Sequence, residues 1–139
     1  MEIDTSTDSG ARAARRLEND QIVWLTTVGP DGTPHPSPVW FLWDGDTALI
    51  YSQPSTPKLR NIGQQPRVSL NFNCTPNGGD VVILTGDARV DSGAAPDRLD
   101  AAYAAKYADG IRSIGMTPDA FVQEYSVAIR IRPTSLRSH

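Results

Sequence analysis

Tyr51-Ser52-Gln53-Pro54-Ser55-Thr56-Pro57-Lys58-Leu59-Arg60-Asn61-Ile62-Gly63-Gln64-Gln65-Pro66 is the stretch around which the chain is organised. It reads as the end of a strand, a loop, a short helix and the start of the next strand. A hydroxyl residue followed by proline marks a helix start. Thr56 can cap free N–H groups, while Pro57 takes the first helical position, where its missing N–H costs nothing. Gly63 supplies the stop. A helix start presents unpaired N–H groups and a partial positive charge, and here three hydroxyls, Ser52, Ser55 and Thr56, stand beside Lys58 and Arg60. The combination suits a phosphate. An ordinary capped helix with solvated basic side chains explains the same residues, so the segment alone leaves both readings open.

Upstream, Ile22–Val28 is β-branched and apolar, and Gly29-Pro30-Asp31-Gly32-Thr33 is dense turn chemistry. The returning strand is expected over His35–Trp43. Prolines at 34, 36 and 38 remove ladder donors from its first half, which confines that half to an edge, a bulge, or a place where something other than a strand, such as a ligand, sits. Asp44-Gly45-Asp46 is a tight turn into a third strand, Thr47–Ser52, which delivers the chain to the organising stretch. At the N-terminus, Ala11–Asn19 is made of helix formers, with Arg12, Arg15 and Arg16 read as a solvated face. Residues 1–10 read as a disordered tail.

Downstream, Arg67–Asn73 alternates, with Val68, Leu70 and Phe72 toward a core and a polar opposite face. Val81–Val90 is a long strand in which Gly86 predicts a bulge or a barrel corner. The pattern then turns helical. Pro96 begins a helix with Asp97 and Asp100 in its first turn, Leu99, Ala102, Tyr103 and Tyr107 share its buried face, and Gly110 ends it. Thr117-Pro118-Asp119 starts a second short helix, and Ser126–Pro133 is the closing strand, with Val127, Ile129 and Ile131 inward. These elements make one mainly β (α+β) domain over residues 1–139, an antiparallel split β-barrel of about six strands with peripheral helices. A sandwich is the alternative.

Composition narrows the chemistry. A chain of 139 residues can bury a core without staples. Its single cysteine, Cys74, forms no intrachain disulfide, which fits a reducing cytoplasm. No apolar run approaches the ~20 residues of a membrane span, and the polar, acidic N-terminus is unlike a signal peptide. A net charge of −3 and a pI near 5.2 argue against a general nucleic-acid binder. Only His35 and His139 are histidines, so a histidine-rich metal site is excluded, and no nucleophile elbow, P-loop or dinucleotide fingerprint is present. The side chains are poor at covalent or metal chemistry of their own, which favours chemistry borrowed from a bound cofactor.

The strand, the Gly-Pro-Asp-Gly-Thr-Pro-His turn, the Pro-Val-Trp-Phe strand, Tyr-Ser, Lys-x-Arg-Asn-Ile and Pro-Arg-Val-Ser-Leu together resemble the pyridoxamine-5′-phosphate-oxidase-like split β-barrel flavoproteins. More narrowly, the chain is similar to their deazaflavin (coenzyme F420) dependent reductases, over about residues 12–133. Relatives that use flavin mononucleotide (FMN) share the same skeleton. The resemblance implies a cytoplasmic homodimer with two cofactor sites at the subunit interface and a small conjugated or quinone-like acceptor, with no nucleic acid or membrane partner. It assigns Ser52, Gln53, Ser55, Thr56, Lys58, Arg60 and Asn61 to the cofactor phosphate, and Pro38, Val39, Trp40 and Phe41 to the ring. No catalytic residue is assigned, because hydride comes from the coenzyme and the protein has only to orient and polarise the acceptor. A module that binds flavin, deazaflavin or haem without turnover is the competing class, and haem is disfavoured by the single credible ligand, His35.

Overall fold

Thr7 sets the start of the first helix. Its Oγ1 accepts the Gly10 N–H at 3.1 Å, so α1 runs Asp8–Asn19 and begins three residues before the expected Ala11, inside the stretch read as a tail. The computed structural model of the protein describes residues 1–91 and 98–139. The expected helix start at Pro96 and Asp97 lies outside the described residues. After α1 come β1 (Val23–Val28), β2 (Pro34–Val39), β3 (Leu42–Trp43), β4 (Ala48–Ser52), α2 (Pro57–Gln64), β5 (Arg67–Asn71) and β6 (Val82–Val90). Then follow α3 (Ala101–Lys106), α4 (Ala108–Ser113), α5 (Pro118–Glu124) and β7 (Val127–Ser138).

The strands form one antiparallel sheet in the order β2-β1-β5-β6-β7-β4-β3, curled into a split half-barrel, so the sandwich alternative is set aside. Proline decides the edge. Pro34, Pro36 and Pro38 pair with Val28, Thr26 and Trp24 of β1, and among the described residues no strand lies on the other side of β2. Gly86 marks the bulge in β6, where the register shifts; a Cβ there would stand 2.2 Å from the Arg132 carbonyl oxygen. Pro133 sits opposite Gly86 at this irregularity, which lets β7 continue to Ser138 instead of stopping at the proline.

β4 is buried at all five positions because its two faces serve two cores. Ala48 and Ile50 face the barrel interior with Leu25, Leu70, Leu84, Ile129 and Ile131, closed by Leu17 of α1 and Ile62 of α2. Leu49 and Tyr51 face outward and pack under Tyr103, Tyr107, Ile111 and Phe121 of the helical layer. That layer differs from expectation: the one helix read as ending at Gly110 is two, α3 and α4, divided at Tyr107, and Ala102 is exposed. Gly110 lies inside α4 instead of ending a helix, and its missing side chain makes room for Trp40, whose Cη2 would stand 3.0 Å from a Cβ at that position.

The strand expected over 35–43 breaks at Trp40-Phe41, giving seven strands among the described residues in place of the expected number of about six. The Phe41 N–H donates to the Tyr107 hydroxyl at 2.8 Å, and the Phe41 carbonyl accepts from Lys106 Nζ at 2.8 Å, so helix side chains replace the ladder there. Arg12 and Arg16 likewise depart from the solvated face read from sequence. Both pair with Asp80, at 2.7 and 3.2 Å, and Arg16 also pairs with Asp20, fastening α1 to the turn before β6.

Lys106 also lies 3.8 Å from the Phe41 ring centroid, a contact that favours its charged form. Burial outweighs that contact and the nearby Asp20, and pulls its pKa from 10.5 down to about 8. The unfolded chain therefore binds the additional proton between pH 8 and 10.5, and stability rises with pH across that window. The difference in unfolding free energy between wild type and Lys106→Met is expected to be flat below pH 8 and to grow in favour of the wild type up to pH 10.5. Urea unfolding at a series of pH values checks it, and a flat difference throughout would refute it.

Candidate functional site

Local chemistry brings the chain to a cavity at the start of α2. Ser55 takes a positive φ of 63°, turning the chain sharply into Thr56, and Pro57 occupies the first helical turn as read from sequence. The Thr56 hydroxyl makes no cap bond. It lies 3.2 Å from Ser52 Oγ, so two hydroxyls stand together beside a first turn that no side chain caps. Gly63 falls inside the helix instead of stopping it, and α2 ends at Gln64 with the Gln65 N–H donating to the Asn61 carbonyl.

The cavity, about 270 Å³, is lined by seven of the eleven residues singled out in the sequence: Pro38, Val39, Trp40, Ser52, Gln53, Thr56 and Lys58. The other four do not line it. Phe41 is fully buried in the barrel core, edge-on to Phe72. Asn61 is buried and donates from Nδ2 to Thr27 Oγ1 at 3.0 Å, fastening α2 to β1. Ser55 and Arg60 are exposed, with Arg60 Nη1 donating to the Ser55 carbonyl at 3.4 Å. Gln53 donates from Nε2 to Glu124 at 3.0 Å, which ties the loop to α5.

Sequence reading missed the opposite wall, contributed by Tyr51, Tyr103, Ile114, Phe121 and Tyr125. Trp40 joins it to a column of near-parallel rings. Trp40 stacks on Tyr107 (4.7 Å, 4°) and on Phe121 (5.7 Å, 13°), and Phe121 stacks on Tyr125 (4.5 Å, 17°). Helical spacing showed that Tyr103 and Tyr107 share a face. Nothing local showed that the face ends at a cavity.

Lys58 supplies the charge. Its side chain is half-buried, burial lowers its pKa, and among the described residues its Nζ has neither an ion-pair nor a hydrogen-bond partner. Burial pushes the Tyr51 and Tyr103 phenols up, so both stay protonated at neutral pH. Among the described residues no three His, Cys, Asp or Glu side chains converge as a metal site, and no helix is long and apolar enough to cross a membrane. His35 is exposed on β2 and does not line the cavity.

The profile of the family described as pyridoxamine 5′-phosphate oxidase matches residues 10–139. The chain belongs to the pyridoxamine 5′-phosphate oxidase family. Among solved structures, this family member is similar to an F420 reductase, with 27% identity, 88% of this chain and 94% of the other covered, and a TM-score of 0.68. A pyridoxamine 5′-phosphate oxidase homologue from Listeria innocua matches with 22% identity, 92% of both chains covered and a TM-score of 0.63. The haem storage protein HutZ from Vibrio cholerae matches with 16% identity, 99% and 95% covered and a TM-score of 0.63. At those two lower identities the likeness is one of fold. No curated protein matches at a significant level.

Proposed function

We propose that this member of the family is a homodimeric oxidoreductase that uses reduced coenzyme F420 to reduce a small conjugated or quinone-like acceptor. The observation that carries the reading is the joining, in one cavity, of a wall of stacked aromatic rings and a half-buried lysine at a helix start that has no partner among the described residues. That donor set fits a planar ring carrying a phosphate. Lys58, Ser52 and Thr56 bind the phosphate, with Arg60 and Ser55 on its exposed side. Pro38, Val39 and Trp40 back the ring, and Gln53 closes the loop between them. Phe41 and Asn61 act from behind, holding the broken strand and α2 in place.

When bound, the coenzyme supplies a hydride from its ring carbon. The chain's part is to hold ring and acceptor face to face, to keep water from the aromatic wall, and to present neutral phenols to the acceptor. The 27% identity to an F420 reductase supports the deazaflavin over FMN. Calorimetric titration with both cofactors tests the choice. Tighter binding of F420 is expected, and equal or tighter binding of FMN would reverse it. Loss of the reduced-coenzyme absorbance on adding an acceptor separates an enzyme from a carrier.

A further inference from the structure

Tyr103 and Tyr107 sit one helical turn apart at the same burial, each 1% exposed, yet their hydroxyls are used differently. The Tyr107 hydroxyl accepts the Phe41 N–H and stands 2.7 Å from the Gln21 carbonyl oxygen and 3.0 Å from that of Phe41. The Tyr103 hydroxyl has no hydrogen-bond partner among the described residues, and the side chain forms part of the cavity wall. Its ring is fixed edge-on to Tyr51 at 4.8 Å and tilted against Tyr107 at 4.9 Å. Tyr51, also in the wall, accepts the Asp100 N–H at 3.0 Å, which leaves its own hydroxyl proton without an acceptor among the described residues. Two phenol donors without acceptors among the described residues, from β4 and α3, therefore line this cavity. A donor that meets only cavity water gains a fixed partner when a ligand places an acceptor there.

From this we infer that the Tyr103 hydroxyl, with Tyr51 beside it, donates a hydrogen bond to the carbonyl oxygen of a flat, uncharged acceptor. The inference rests on the reductase reading for naming the ligand an acceptor. Flatness follows from the stacked pair Phe121 and Tyr125, whose planes lie within 17° of one another beyond Trp40, which backs the coenzyme ring. Absence of charge follows from the wall. Among its residues only Lys58 is charged, and Lys58 is assigned to the coenzyme phosphate. Burial keeps both phenols protonated and able to donate. A carbonyl oxygen has two lone pairs for two donors. Tyr103 is thus a residue that selects the acceptor by its oxygen.

The test uses the full chain without coenzyme and two probes of one shape, 2-methyl-1,4-naphthoquinone and 2-methylnaphthalene, which lacks the carbonyl oxygens. Tyr103→Phe is expected to weaken quinone binding by about 5- to 50-fold and to leave the hydrocarbon within about twofold. In the wild type, the infrared carbonyl stretch of the bound quinone is expected to shift to lower wavenumber. No quinone binding by the wild type, no shift on binding, or equal changes for both probes would overturn the inference. Because coenzyme is absent from these titrations, failure of F420 binding would sink the reductase reading while leaving this result standing.

Discussion

Lys58→Ala is expected to weaken F420 binding by about 10- to 150-fold, the loss of one charge-assisted hydrogen bond of ~1.5–3 kcal/mol. Lys58 is half-buried in the cavity wall with no partner among the described residues, and burial lowers its pKa. A cation already penalised by desolvation gains most from an anion that shares its site. Its removal breaks no hydrogen bond or ion pair within the described chain, so the urea midpoint should hardly move. Turnover at saturating coenzyme should survive, because a phosphate interaction contributes equally to ground and transition states. Added salt should weaken binding to the wild type more than binding to the variant, since the substitution takes away the ionic interaction that salt screens. Calorimetry at two salt concentrations checks both affinity and salt dependence. Unchanged affinity with unchanged salt dependence would return Lys58 to the role of a solvated helix residue.

Tyr107→Phe is expected to destabilise the fold by about 2–3 kcal/mol, although it removes one oxygen atom. That oxygen takes the Phe41 N–H at 2.8 Å and stands 2.7 Å from the Gln21 carbonyl oxygen, binding α3 and α4 to the strand break and to the start of β1. Without it the Phe41 N–H is buried and unpaired, while the Phe41 carbonyl keeps Lys106. The Gln21 interaction is only partly buried, so water can replace it, and the Phe41 N–H accounts for most of the loss. Because Trp40 stacks on the Tyr107 ring, its fluorescence should report the same loosening at the cavity wall. Unfolding in urea with an unchanged slope is the measurement, and a loss below about 0.5 kcal/mol would show that the break is held by other interactions.

The local chemistry of this chain was legible wherever a residue's role depends on its own backbone or near neighbours. Proline at 34, 36 and 38 made β2 an edge, because a missing N–H cannot pair whatever the tertiary setting. Gly86 marked the bulge, and Thr56-Pro57 and Thr117-Pro118 started α2 and α5, for equally local reasons. Alternation in β5 showed which face buries, since period two is a property of the strand itself.

What only the tertiary structure decided were partners far along the chain. Phe41 breaks its strand for a hydroxyl 66 residues away, Arg16 finds Asp80 at a separation of 64, and Asn61 spends its amide on Thr27. Gly110 stays inside a helix because an indole from residue 40 needs the room. The cavity follows the same division: its α2 side was visible as cap and hydroxyl chemistry, whereas Tyr103, Phe121 and Tyr125 read only as an apolar helix face. Periodicity tells a side chain which way to turn, but what it meets there depends on how the sheet curls and where the helices land.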